Sequence, residues 1–247
     1  MSRKSEGLIN QLGFFTSDTS TPIRADTWRA IYGAAQAAVA AADAALASGA
    51  AYALCRPPGH HAYANCAGGF CYLNNTAIAA QRLRATTGAR VAVLDVDVHH
   101  GNGTQGVFYA RDDVLTVSIH AETSNYFPLF AGYADERGEG AGAGHNLNLP
   151  LAHGAGDEEV LAALSVALQQ IIAFEPATIV VALGLDAAAE DPLGVFNVTT
   201  QGFAEIARRI AELGLPSALI QEGGYLYPSL PLNLVAFLNA FEARPRP

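Results

Sequence analysis

The sequence predicts an α/β protein in which three layers, α/β/α, enclose a central and mostly parallel sheet. Three observations support this class. Apolar runs rich in Val and Ile alternate with longer stretches of helical periodicity, as in crossover units. The runs are continuously apolar, which is typical of strands buried on both faces. Polar, glycine-rich segments follow the ends of the runs, where open parallel sheets bind ligands.

The elements are predicted in chain order from these patterns. The first helix, over 27–48, is rich in alanine, follows a cap candidate at Asp26 and stops at Gly49. A short strand over 51–55 and a helix over 73–85 come next. The later elements are predicted as strands 91–96 and 114–119, helix 158–174, strand 178–184, helix 202–213, strand 217–221 and helix 230–241. Five strand-end loops then carry RPPGHH, VDVHHGNG, SIHAETSNYF, GLDAAAEDP and EGGY, so we expect the active site at the carboxyl ends of the strands.

Composition bounds the class of protein. The chain has 247 residues, of which 51% are hydrophobic and 15% charged, so residues 1–247 are predicted to form one domain with a sizeable core, with 1–13 as an N-terminal arm. A net charge of −9 argues against nucleic-acid binding and favours a cationic ligand.

The cysteines, Cys55, Cys66 and Cys71, form no CxxC pair, which favours a reducing compartment. Neither a signal-peptide core nor a window approaching a membrane span is apparent, so a cytoplasmic protein without membrane contact is expected.

The stretch VAVLDVDVHHGNGTQ places carboxylates directly after an apolar strand, where a compensating cation is needed. Asp97 and His99 stand two residues apart, so both side chains lie on one face of an extended segment. Asp186 follows another strand and reaches the same sheet edge. Two carboxylates and one imidazole suit Zn²⁺, or Fe²⁺ in the cell, in an open site. The alternative is that the aspartates cap helices and His99 is a core histidine.

A second cluster, His60 and His61, lies in the RPPGHH loop. Adjacent imidazoles there can take a proton from water and supply one to a leaving amine. Asp95 and Asn102 are candidates to hold their far nitrogens, and one charged and one neutral partner would separate the two pKa values. Two surface histidines are the alternative.

Aromatic residues complete the predicted site. Tyr225, after a glycine pair, can donate a hydrogen bond to an oxyanion, and the alternative is a tyrosine packed on the rim. Phe70 and Phe127 are core aromatics by default, but both fall in the clustered loops. Together they would wall a narrow apolar channel for an alkyl chain.

The motifs RPPGHHA, GGFCYLNN, LDVDVHHGNGTQ, VSIH, YFP, GLDAAAEDP and EGGY together resemble the zinc-dependent histone deacetylase family of the arginase/deacetylase superfamily. The bacterial acetylpolyamine amidohydrolase branch looks most similar. The resemblance extends over residues 14–241, with the motifs in the family's order. It implies an arginase/deacetylase-like fold.

The resemblance also implies roles for individual residues. It assigns the metal to Asp97, His99 and Asp186, the acid/base pair to His60 and His61, and carbonyl polarisation to Tyr225. It implies a substrate channel walled by Phe70 and Phe127, with Gly69 beside them and Asp18 at the rim. It further implies a structural potassium site formed by Asp95, Asp97, His99, Ser118 and Ile119. An arginase-type binuclear manganese site is disfavoured because its further ligands are not apparent.

The predicted reaction is hydrolysis of an acetyl or other short acyl amide by a metal-activated water, on a small acylated amine or an acetyl-lysine peptide. The other hypothesis is a non-catalytic binder that keeps the metal and captures acylated amines. Family members carry a longer N-terminal stretch, so a more open rim is expected here, and a homo-oligomer would cover apolar surface left by a missing sheet element.

Overall fold

The computed structural model describes residues 13–243, so most of the expected arm 1–13 lies outside the described residues. The helices and strands follow one another as α1 Thr27–Ser48, β1 Ala50–Ala53, α2 Asn75–Thr87, β2 Val91–Asp95, α3 Asn102–Phe108, β3 Val114–Ala121, β4 Asn146–Leu151, α4 Asp157–Phe174, β5 Thr178–Leu183, α5 Thr200–Ala211, β6 Ser217–Gln221 and α6 Leu230–Glu242. Gly140–Gly142 forms a single 3₁₀ turn before β4.

The six strands form one sheet in the order β1-β6-β5-β2-β3-β4, and each of these pairings is parallel. Chain order and sheet order differ, because β2 lies between β5 and β3 while β6 separates β5 from β1. The register aligns Asp95 with Ala182 of β5 and with Ser118 of β3, so the loops after these strands leave the sheet at the same level. The predicted α/β/α class with a parallel sheet is confirmed.

Alternation along the strands divides the core into two layers. Ala92 and Leu94 point to one face of β2 and Val91 and Val93 to the other, as period-two geometry requires. On the first face the buried residues come from α4, α5 and α6, with Phe203, Phe237 and Phe241 the largest. On the second face they come from α1, α2 and α3. Because both faces are covered, the strands read as continuous apolar runs.

Helix α1 is long and apolar enough to cross a membrane by length and composition, so the expectation that no window approaches a span was wrong. The helix is apolar because alanines form its buried face. Ala38, Ala42 and Ala45 are fully buried in the second core layer. The helix ends at Gly49 in the left-handed conformation, as predicted. Asp26 forms no side-chain cap, and Thr27 instead accepts the N–H of Arg24 at 2.8 Å.

Two elements were missed at the sequence level. Helix α3, NGTQGVF, contains two glycines and starts inside a motif that we interpreted as a loop. Strand β4, NLNLPL, is polar at alternate positions and carries Pro150. Proline is tolerated on an edge strand, and among the strands of residues 13–243 β4 pairs with β3 alone.

Candidate metal-binding active site

The site lies beyond the carboxyl ends of β2, β5 and β6. Asp97 and His99 follow β2, and Asp186 follows β5 after Gly184 and Leu185. The loops are connected by backbone hydrogen bonds. The N–H of Val96 donates to the carbonyl of Ala182, and the N–H of Leu185 donates to the carbonyl of Gly223. The parallel register therefore brings residues distant in the chain to one place, as the sequence predicted.

Asp97, His99 and Asp186 each offer a ligand atom, and these atoms lie within 4.8 Å of one another. Nδ1 of His99 is 3.1 Å from Oδ1 of Asp97 and 3.1 Å from Oδ2 of Asp186. Backbone amides hold the carboxylates, since Val98 donates to Asp186 at 3.1 Å and Gly223 donates to Asp97 at 2.8 Å. The three side chains are buried, and their oxygen–oxygen–nitrogen set is one that open divalent-metal sites use.

Two observations show that these residues fit a cation. Burial and the neighbouring Asp97 carboxylate raise the pKa of Asp186 to about 7, so a cation is needed to keep both carboxylates ionised at neutral pH. Glycines clear the space around them. A Cβ at Gly184 would lie 2.2 Å from Oδ2 of Asp97, and a Cβ at Gly223 would lie 2.1 Å from Oδ2 of Asp186. Only glycine at these positions leaves the carboxylates room.

The tandem histidines lie beside this triad, with their ring centroids 3.9 Å apart. Nδ1 of His60 is 2.9 Å from Oδ2 of Asp95, and its Nε2 is 3.8 Å from Oδ1 of Asp97. Nδ1 of His61 is 2.8 Å from Oδ1 of Asn102. Asp95 and Asn102, the two candidates named from the sequence, thus hold the far nitrogens of the pair, the anionic Asp95 on His60 and the neutral Asn102 on His61.

The two partners separate the titration of the two rings. Burial alone would lower the pKa of His60, but the Asp95 and Asp97 carboxylates raise it well above its ordinary value. Burial, with the charges of His60 and His99, lowers the pKa of His61 well below its ordinary value. An imidazolium and a neutral imidazole therefore stand side by side.

Tyr225 reaches the site from the turn after β6, where Gly224 adopts a φ of 118° that favours glycine. Its backbone N–H donates to Asp191 at 2.8 Å, which fixes the turn. Among the described residues its phenol makes no hydrogen bond, while burial and the Asp97 carboxylate raise its pKa. Tyr225 is therefore a neutral donor with its hydrogen available.

A cavity of about 260 Å³ lies beside the triad, whose His99 contributes to the lining. It is bordered by Ser20, His61, Gly69, Phe70, His99, Tyr126, Phe127, Leu193 and Tyr225. Phe127 meets the ring of His61 edge-on at 4.8 Å, and Phe70 meets Tyr225 at 5.8 Å. The predicted wall residues thus lie on the cavity. Their spacing leaves a slot lined mainly by rings.

Sequence reasoning missed three of the lining residues, Ser20, Tyr126 and Leu193. The ring of Tyr126 stacks on His99 at 4.9 Å with an interplanar angle of 12°. Leu193 accepts the hydrogen bond of the Tyr126 hydroxyl through its carbonyl oxygen. Tyr126 directly precedes Phe127 in the SNYFP motif, and this adjacency was the available signal.

Asp18 lies behind the channel wall. Its Oδ2 accepts the N–H of Gly69 at 2.7 Å, and its Oδ1 accepts the N–H of Ser20 at 2.8 Å. Gly69 and Phe70 have φ values of 55° and 66°, and the N–H of Phe70 donates to Thr21 at 3.1 Å. The turn that starts at Asp18 therefore supports the left-handed loop that carries Phe70. A substrate contact by Asp18 stays a prediction.

The residues of the predicted potassium site are close to one another along the sheet. Asp95 pairs in register with Ser118, and Ile119 follows on β3. Oδ1 of Asp95 accepts the N–H of Asp97 at 3.1 Å, and the Ser118 hydroxyl is 2.9 Å from Nδ1 of His120. Potassium binding by this set stays a prediction.

Comparison with known proteins gives consistent similarities. A model of the histone deacetylase domain matches residues 1–241. "Acetylpolyamine amidohydrolase 1" of Pseudomonas aeruginosa is 48% identical over 241 residues, which are 97% of this chain and 69% of that protein. The crystal structure of acetylpolyamine aminohydrolase from Burkholderia pseudomallei matches with a TM-score of 0.93 at 50% identity, covering 96% of this chain and 69% of that one. The HDA15 HD domain matches with a TM-score of 0.87 at 35% identity, covering 91% and 65%.

Proposed function

The chain belongs to the histone deacetylase family, and on this premise we propose that it hydrolyses acetyl or other short acyl amides of primary amines. One observation carries the proposal. His99, the neutral imidazole of His61 and the phenol of Tyr225 border one cavity, and the ligand atoms of Asp97 and Asp186 lie within 4.8 Å of that of His99. Metal-assisted amide hydrolysis uses a cation, a base and an oxyanion donor together.

We propose zinc as the metal, held by Asp97, His99 and Asp186. Two carboxylates and one imidazole leave coordination positions open, which distinguishes a catalytic site from a structural one. A divalent ion bound there supplies polarisation of the acyl carbonyl and acidification of water. Iron(II) suits the same ligands and is the alternative in the cell.

His61 is the proposed proton carrier. It borders the cavity, whereas His60 lies behind it against Asp95. Because the Asn102 oxygen is an acceptor, Nδ1 of His61 carries the hydrogen and Nε2 keeps its lone pair. Nε2 takes a proton from the attacking water as the new C–O bond forms. The same nitrogen then gives that proton to the amine as the C–N bond breaks.

His60 and Tyr225 stabilise the charges that develop. His60, held as an imidazolium by Asp95 and Asp97, keeps positive charge near the reaction without entering the cavity. The phenol of Tyr225 donates a hydrogen bond to the oxyanion that develops on the carbonyl oxygen of the acyl group. A donor of this kind contributes a few kcal/mol in a site from which water is excluded.

The proposed substrates are acetylated polyamines and similar small acylamines. Four relatives carry acetylpolyamine in their names, and the ring-lined slot fits an unbranched alkyl chain. The net charge of −9 attracts a ligand that keeps further ammonium groups. An acetyl-lysine peptide presents the same acylated butyl arm and is the competing substrate.

The test is a comparison of acetylputrescine, acetylspermidine and an acetyl-lysine peptide with zinc-loaded protein, using a His61→Ala variant as the inactive control. Higher kcat/KM on the two polyamines is expected. Comparable kcat/KM on all three would indicate a generalist, and no release of acetate from any of them would refute amide hydrolysis.

The hypothesis of a non-catalytic binder finds no support. A binder needs the cation but has no use for a base with a lowered pKa or an available phenol. Stoichiometric zinc with no turnover would be the result that revives it. The potassium site, a homo-oligomer and a cytoplasmic location stay predictions.

A further inference from the structure

A buried carboxylate outside the roles above lies against the tandem-histidine loop. Glu222, directly after β6, is 3% exposed. Its Oε2 accepts the backbone N–H groups of Gly59 at 2.6 Å and His60 at 3.0 Å. Its Oε1 accepts the hydroxyl of Thr76 at 2.6 Å. Each oxygen is satisfied by short bonds, so the side chain has one fixed orientation.

The backbone at Glu222 is tied to the metal side of the site. The N–H of Glu222 donates to the carbonyl of Leu183 on β5 at 2.9 Å. The N–H of the next residue, Gly223, donates to Oδ2 of Asp97 at 2.8 Å. Two consecutive residues therefore hold both the loop of His60 and a triad carboxylate. Across this connection, Nε2 of His60 lies 3.8 Å from Oδ1 of Asp97.

The loop has little other freedom in how it is seated. A Cβ at Gly59 would lie 2.3 Å from the backbone nitrogen of Asn75 at the start of α2, so the loop backbone contacts that helix directly. Pro57 is held by the amide of Asn75 at 3.1 Å. The carbonyl of Gly59 accepts the N–H of Ala62 at 2.9 Å, and the consecutive N–H groups of Gly59 and His60 both point at one oxygen of Glu222.

We propose that Glu222 is a positioning residue. The length of its side chain places the carboxylate where it holds the loop of His60 and His61 against the metal triad. The role rests on the proposed hydrolysis, because Glu222 touches neither the cavity nor the reacting atoms. Both N–H groups need a single acceptor at the right place, and the charge on that acceptor is secondary.

Two variants separate the effect of side-chain length from the effect of charge. Glu222→Gln keeps the length, and its amide oxygen can accept both N–H groups while its NH₂ faces Thr76. Glu222→Asp keeps the charge, but its carboxylate is withdrawn by about 1.5 Å, one C–C bond. Thr116→Val is a matched control, since Thr116 is likewise buried and donates to Asn146 at 2.6 Å on the far strands.

The measurements are kcat and KM on the best substrate, zinc content, and hydrogen–deuterium exchange of the segment 56–66 in the zinc-loaded chain. Displacing a catalytic group by about 1 Å costs on the order of 100-fold, so Glu222→Asp is expected to lower kcat by that order with KM within about threefold. Exchange in the segment 56–66 should accelerate in Glu222→Asp and stay slow in Glu222→Gln, whose kcat falls by less than about tenfold. Thr116→Val should match the wild type in both.

The proposal is overturned if Glu222→Asp keeps its kcat, if Glu222→Gln is the more impaired variant, or if kcat falls while the segment 56–66 stays protected. The exchange data do not depend on turnover. An inactive wild type would therefore refute the proposed function while the comparison of exchange still tested the anchor.

Discussion

The rings of His60 and His61 lie 3.9 Å apart, but their Nδ1 atoms face different groups, the Asp95 carboxylate and the Asn102 amide. Two chemically identical neighbours are thereby given opposite pKa shifts, upward for His60 and downward for His61. This arrangement places the positively charged ring of His60 beside the neutral ring of His61, which can accept a proton.

Asn102→Asp is expected to shift the acid limb of the kcat/KM profile to higher pH. A carboxylate at Nδ1 favours the protonated form of His61, so its pKa rises and the free base is present only at higher pH. The profile of kcat/KM against pH over the range 5–9 measures this. An unchanged acid limb would mean that His61 is not the titrating base.

Asp186→Asn is expected to abolish stoichiometric metal binding and activity. The amide carries no negative charge, so the cation loses one of its two anionic ligands. Metal content after dialysis against zinc gives the result. Asp113→Asn, which alters an aspartate paired with Arg84 and Arg111 away from the site, is the control and should keep about one ion per chain. Full zinc content in Asp186→Asn would contradict the proposed ligand set.

Tyr225→Phe is expected to lower kcat by roughly 10²–10³ if the phenol is the oxyanion donor. Its melting temperature should stay close to that of the wild type, because the phenol makes no hydrogen bond with the described residues. Tyr52→Phe removes a hydroxyl bonded to Gln221 at 2.6 Å and should leave kcat intact. A fully active Tyr225→Phe protein would remove Tyr225 from the mechanism.

Gly69→Ala is expected to lower kcat by on the order of 100-fold, because its Cβ would lie 2.4 Å from Cδ2 of His61 and displace the ring. Gly88→Ala is the matched control. Gly88 also has a positive φ, of 69°, but a Cβ there would meet no atom within 4 Å, so only the backbone cost of about 1–2 kcal/mol applies. Equal kcat in the two variants would show that the contact with His61 is unimportant.

His120 is expected to destabilise the fold as the solution is acidified. Burial lowers its pKa to about 4, against an ordinary value of 6.5, so the unfolded chain binds the proton first. Stability is fully present above pH 6.5 and is lost as pH falls towards 4. By linkage the loss is about 2–3 kcal/mol at pH 4.5.

Urea unfolding of the wild type and His120→Gln at pH 7 and 4.5 measures this loss. The advantage of the wild type should shrink by that amount on acidification, since glutamine does not titrate. An advantage that is the same at both pH values would contradict the assignment.

The sequence by itself determined the fold class, the position of the site and most of its chemistry. Strand 217–221 and helix 27–48 were predicted with their observed bounds, because burial on one or both faces imposes a period that is visible locally. Asp97 and His99 followed from two-residue spacing after a strand, and Asp186 from the rule that parallel strands end at one edge.

Tertiary structure alone decided what touches what. Helix α3 and edge strand β4 lack strong periodicity and are held by contacts with distant segments. The stacking of Tyr126 on His99 and the two N–H groups gathered by Glu222 join residues 27 and more than 160 positions apart. Such contacts join loops from distant parts of the chain once the sheet has formed. The side-chain periodicity within one segment therefore carries no information about them.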